Sequence, residues 1–121
     1  MMNDEKENLR ERTKMFARRI VRLYCALPKS DAAAQILGKQ ALRSGTSIGA
    51  NYREAYRARS KAEFISKIGD CLKEADETLY WQELLLDENF VSARKLEPLM
   101  KENDELLAIL TTISKRAKGL E

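Results

Sequence analysis

The sequence predicts an all-α fold, an antiparallel up-down-up-down four-helix bundle. Apolar residues recur at alternating three- and four-residue steps along almost the whole chain, the spacing of one face of a helix. Glycine (5) and proline (2) are scarce in 121 residues, so few sharp turns interrupt those runs. The polar breaks between runs are short, and helices joined by short loops pack as antiparallel neighbours. With 44% hydrophobic and 34% charged residues, the chain can bury a core and does not read as disordered. One domain over residues 1–121 is predicted, with helices at about 4–27, 31–58, 61–87 and 93–118.

Each helix follows from its own residues. Leu9, Phe16, Ile20, Leu23 and Leu27 make the first stripe, and Pro28 ends it by disfavouring helical geometry in the residue before. Ser30 or Asp31 can cap the second helix, whose stripe is Ala34, Leu37, Ala41, Ser44, Ile48, Asn51 and Ala55. Its centre is unusually small (Ser44, Gly45, Thr46, Ser47, Gly49), which suits a close helix approach; a break at Gly45 is the competing reading. Ser60 and Glu63 have capping-box spacing ahead of a third stripe, Ile65, Ile68, Leu72, Ala75, Leu79, Gln82 and Leu86. Ser92 or Ala93 opens the fourth helix, with Leu96, Leu99, Asn103, Leu106, Leu110, Ile113 and Ala117 facing inward and Pro98 expected in the first turn.

Several function classes find no support. The chain has no histidine, so the commonest general base and metal ligand is missing, and no nucleophile–base set can be built around Ser44 or Ser47. Asp70, Glu74 and Glu77 share a helix face, but the Glu-x-x-His element of di-iron bundles is absent, so they read as a solvated face or salt-bridge partners. No enzyme, metal or cofactor is expected. Cys25 and Cys71 read as two small buried hydrophobes. No apolar run approaches the roughly 20 residues of a membrane span, and the charged segment Met1 to Arg12 lacks a signal-peptide core. A cytoplasmic protein with no membrane role is expected.

Charge is split along the chain. Residues 28–62 hold seven basic and two acidic groups, whereas residues 63–91 hold two and eight. Beside Arg12 and Lys14, Arg18, Arg19 and Arg22 cluster on the first helix; Arg53, Arg57, Arg59 and Lys61 crowd the end of the second beside Tyr52 and Tyr56, with Arg43 further back. Arginine beside aromatic residues is a composition used against phosphates and stacked bases, which makes these eight cations the candidate RNA- or DNA-binding residues. Their other reading is a solvated face, or pairing with third-helix carboxylates within or between subunits. Phe64, Tyr80, Trp81, Leu84 and Leu85 lie off the third stripe, more apolar surface than one core requires, so a homo-oligomer is expected.

The segment Arg43-Ser44-Gly45-Thr46-Ser47-Ile48-Gly49-Ala50-Asn51-Tyr52-Arg53-Glu54 resembles a signature, Arg-Ser-x-x-Ser-Ile-x-x-Asn-x-x-Glu. It marks the four-helix bundle proteins encoded in intervening sequences of bacterial 23S ribosomal RNA genes. Phe64, Ile65, Ile68 and Glu77 to Trp81 are similar to that family's third-helix pattern. Ala55 and Arg53 depart from it, standing where many members have glycine and a smaller residue. The resemblance implies a left-handed bundle and a homopentameric ring. It also implies kinship with accessory variability proteins of diversity-generating retroelements, which bind nucleic acid and a reverse transcriptase. It carries no catalytic residues. The motif positions Arg43, Ser47, Asn51 and Glu54 suit a network at a close helix contact as well as a binding site.

Overall fold

Short polar side chains start three of the four helices in the computed structural model, which describes residues 3–120 and their side chains from residue 8 onward. The elements are α1 (Asn3–Ala26), α2 (Ala32–Tyr56), α3 (Lys61–Asp87) and α4 (Ala93–Lys118). Residues 1, 2 and 121 of the expected domain lie outside the described residues. Asp31, not Ser30, caps α2 by accepting from the Ala34 amide at 3.0 Å. Ser60 accepts from the Glu63 amide at 3.0 Å and Ser92 from the Lys95 amide at 3.4 Å. These bonds satisfy amides that have no partner inside the helix. Gly119, at φ 76°, closes α4 in the left-handed conformation, and the Leu120 amide reaches back to the Lys115 carbonyl at 2.8 Å.

Each helix packs on the next in an antiparallel bundle; α2 and α3 share the most extensive contact, and α1 and α4 the sparsest. No strand occurs among the described residues. The helix does not break at Gly45: α2 is continuous over 25 residues. Its glycines instead admit α1. A Cβ on Gly45 would lie 2.9 Å from Ile20 Cγ1, and one on Gly49 would lie 3.3 Å from the Thr13 carbonyl oxygen.

The stripes of α1 and α4 are buried largely as expected, with Phe16, Ile20, Leu96, Leu106 and Leu110 fully enclosed. The stripe of α3 is displaced. Ile68, Cys71, Ala75, Thr78, Gln82 and Leu85 are its buried residues, whereas Ile65, Leu72, Leu79 and Leu86 are half-buried. The reason is the tight contact with α2, made by small and polar groups: Thr78 Oγ1 donates to Ser44 Oγ at 2.8 Å, and Cys71 Sγ lies 3.6 Å from the Ile48 carbonyl. Leu85, expected on the outer surface, is therefore core. Pro98 is not in the first turn but is the sixth residue of α4. Its ring removes the bond to the Arg94 carbonyl, and the exposure of both residues lets water satisfy that oxygen.

Cys25 is exposed, contrary to expectation, because it sits opposite the apolar stripe of α1; Cys71 is buried. Desolvation by burial pushes the Cys71 thiol up from 9.0 to about 12. Two outcomes are expected. Ellman's reagent titrates one thiol in the native protein and two after denaturation. The raised folded value means that stability from this thiol is complete below pH 9 and is lost as pH rises toward 12, by up to about 1.4 kcal/mol per pH unit. Replacing Cys71 by alanine should remove that part of the alkaline slope in denaturant titrations at pH 8 to 11.

Candidate nucleic-acid interface

The bundle sorts the candidate cations by the seams on which their helices place them. Arg43 is committed to α3: its guanidinium pairs with the Glu77 carboxylate, and Nη1 lies 3.5 Å from Glu74 Oε2. Glu77 also accepts from Trp81 Nε1 at 3.0 Å. Further along the same seam, Glu54 pairs with Lys67 Nζ at 2.9 Å, which raises the lysine pKa, first through the hydrogen bond. Ser47 donates to the Arg43 carbonyl at 2.6 Å. The signature positions Arg43, Ser47 and Glu54 therefore serve contacts within α2 or between α2 and α3, and the third-helix carboxylates are in part salt-bridge partners.

Arg53, Arg57 and Arg59 come together elsewhere. They wall a groove of about 800 Å³ between the C-terminal half of α2 and the N-terminal half of α1, joined by Arg10 and Lys14 across it. Among the described residues, Lys14, Arg53, Arg57 and Arg59 form no ion pair. Arg10 lies 4.7 Å over the ring of Tyr56. The groove floor is small: Thr13, Ala17, Thr46, Gly49 and Ala50. Arg10 was absent from the candidates because its membership depends on the register of α1 against α2. The signal was present in the i, i+4 spacing of Arg10 and Lys14 and in the short α1–α2 loop, which together set that pairing.

Arg19 and Arg22 lie on the opposite flank of α1, lining with Lys95 a smaller groove of about 380 Å³ toward α4. Arg18 is exposed on the outer side of α1, and Lys61 is exposed as the first residue of α3. The eight candidates thus do not form one surface. Tyr52 is also not available for stacking: it is 1% exposed, within the core, and Tyr56 is half-buried. Both face inward because α2 is covered on two sides, by α1 and by α3. The seam between α1 and α4 is clasped by Arg12, whose Nη2 is 2.6 Å from Glu102 Oε1 and 3.8 Å from Glu105. That hydrogen bond is the main cause of the raised Arg12 pKa.

Among the described residues no group of three or more His, Cys, Asp or Glu side chains could hold a metal ion, and no helix is long and apolar enough to cross a membrane. Fold and surface define a four-helix bundle with cation-walled grooves on both sides of its first helix. The chain belongs to the 23S rRNA-intervening sequence protein family, whose model matches residues 5–112. It is similar to a crystal structure of a protein with unknown function from the S23 ribosomal protein family of Bacteroides thetaiotaomicron. The two are 41% identical, the match covers 88% of this chain and 98% of that chain, and the TM-score is 0.82. No curated protein matches.

Proposed function

We propose that the protein is a non-enzymatic, homo-oligomeric bundle that binds RNA or DNA through phosphate contacts. The observation that carries this reading is the α1–α2 groove, where four cations without ion pairs and Arg10 outnumber two carboxylates, Glu54 and Glu63. The guanidinium groups of Arg53, Arg57 and Arg59 and the ammonium of Lys14 across from them attract phosphate oxygens and release condensed counterions from nucleic acid. Arg19 and Arg22 extend the field along α1, and Lys61 adds to it at the start of α3. Tyr80, 53% exposed, packs edge-on against Trp81 at 5.0 Å between centroids. With half-buried Leu84 and with Ile36, 62% exposed, it offers apolar surface for a second copy. The family resemblance makes a pentamer the expected assembly, and the site of action is the cytoplasm.

The other reading is an interaction scaffold, in which acidic α3 surfaces meet basic α1–α2 surfaces of neighbouring subunits. Filter binding with RNA and DNA at low salt, beside native mass spectrometry, separates the two. In the double variant Arg57→Glu/Arg59→Glu, nucleic-acid retention should fall at least about tenfold while the oligomer persists. Loss of the oligomer with no retention by the parent protein would support the scaffold.

A further inference from the structure

Two of the grooves that border α1 differ in a way that selects a ligand. The α4-side groove is the smaller, and its cations Arg19, Arg22 and Lys95 sit among apolar neighbours such as Leu23, Phe90 and Leu99. The α2-side groove has cations on both walls. Arg10 and Lys14 stand one helical turn apart on α1, Arg53 lies in the last turn of α2 with Arg57 four residues on as its C-cap, and Arg59 follows at one end. Four residues of helix rise about 6 Å, close to the separation of successive phosphates along one strand. Because the helices are antiparallel and held close at Gly49 and Thr13, the two rows lie beside one another.

We infer that this groove receives a single strand of RNA or DNA, its phosphodiester backbone lying between the two rows of cations. The inference rests on the nucleic-acid reading above. Packed helices have axes about 8–10 Å apart, so only a narrow chain enters far enough to touch both walls. A duplex rests on the rim and meets one row at a time. The floor of Thr13, Ala17, Thr46, Gly49 and Ala50 leaves depth for the strand. No exposed aromatic ring is offered to the bases: Tyr52 is core and Tyr56 lies beneath Arg10. Recognition is therefore of the backbone and tolerant of sequence. Glu54, held by Lys67, and Glu63 leave the groove with a surplus of cations.

Fluorescence anisotropy with a labelled 15-nucleotide single strand and the duplex of the same length tests this on the full chain. The single strand should bind at least about tenfold more tightly than the duplex, and four phosphate contacts, from Lys14, Arg53, Arg57 and Arg59, give a slope of log K against log salt near about −2.8. Ala50→Glu, which places a carboxylate on the exposed part of the floor, and Arg53→Glu should each weaken single-strand binding about tenfold or more. Lys101→Glu, the same charge reversal on the outer face of α4, should change it less than about threefold. Circular dichroism confirms folding of each variant. Duplex binding as tight as single-strand binding overturns this inference and leaves the nucleic-acid function standing. So does loss of binding in Arg22→Glu with none in Ala50→Glu. Absence of binding to either probe overturns both.

Discussion

Replacing Asn103 by alanine should lower stability by about 2–3 kcal/mol, a fall in Tm of roughly 8–15 °C, in a chain of this length. Asn103 and Gln82 are both fully buried, where α4 meets α3, and Asn103 Nδ2 donates to Gln82 Oε1 at 3.1 Å. Among the described residues the Gln82 amide nitrogen and the Asn103 amide oxygen find no partner, so the pair is already incompletely satisfied. Truncating one member leaves the other amide buried with no bond at all and opens a cavity beside Leu99 and Leu106 in the same stripe. Replacing both by leucine behaves differently, because no polar group is then stranded. The double variant should lie within about 1 kcal/mol of the parent or above it. Urea unfolding of Asn103→Leu, Gln82→Leu and the double variant closes the cycle, with a coupling of about 1–3 kcal/mol. Additive losses would show that the two amides are independent. A pair that contributes little stability is suited to holding α3 and α4 in register, as buried amides do in other helical assemblies.

Alanine substitutions at Gly45 and Gly69 should move stability in opposite directions. Both glycines lie inside helices, where alanine is favoured by about 1 kcal/mol. At Gly69 a Cβ meets nothing within 4 Å, so Gly69→Ala should gain most of that amount. At Gly45 the Cβ would lie 2.9, 3.0 and 3.3 Å from Ile20 Cγ1, Cγ2 and Cβ. Those atoms sit next to the α1 backbone and cannot swing aside, so α1 itself must shift. Overpacking of this kind is destabilising by about 1–3 kcal/mol, enough to reverse the propensity gain. Gly45→Ala is therefore expected to be about 1–2 kcal/mol less stable than the parent in thermal or urea unfolding. A stabilised Gly45→Ala would mean that α1 packs on α2 less closely than described.

The four helices were legible because their signals are local. Stripes at helical spacing, Ser60 and Ser92 as caps, Pro28 as a stop and Gly119 beyond the last turn each act within one or two turns of chain. The observed ends of α3 and α4 coincide with the expected ones, and α1 and α2 differ by one or two residues at their ends. The α3 stripe was misplaced because spacing rewards large apolar residues equally wherever they fall on the helix. Contact with α2 instead buried Cys71 and Thr78, and left Leu72 and Leu79 half-covered. Tyr52 read as a surface aromatic from its arginine neighbours, yet two covering helices put it in the core.

Charge shows the same division. The residue order alone determined that the first two helices are basic and the third acidic, and that no histidine-based chemistry is available. Which cations stay without ion pairs was decided by helix register: Arg43 faces Glu74 and Glu77 across one seam, while Arg53 and Arg57 face Lys14 across another. Periodicity records the face of a helix, and the pairing of faces arises only when antiparallel helices settle against each other at their small residues. The helices were therefore set by short-range patterns, and the groove by long-range packing that no single stretch of chain contains.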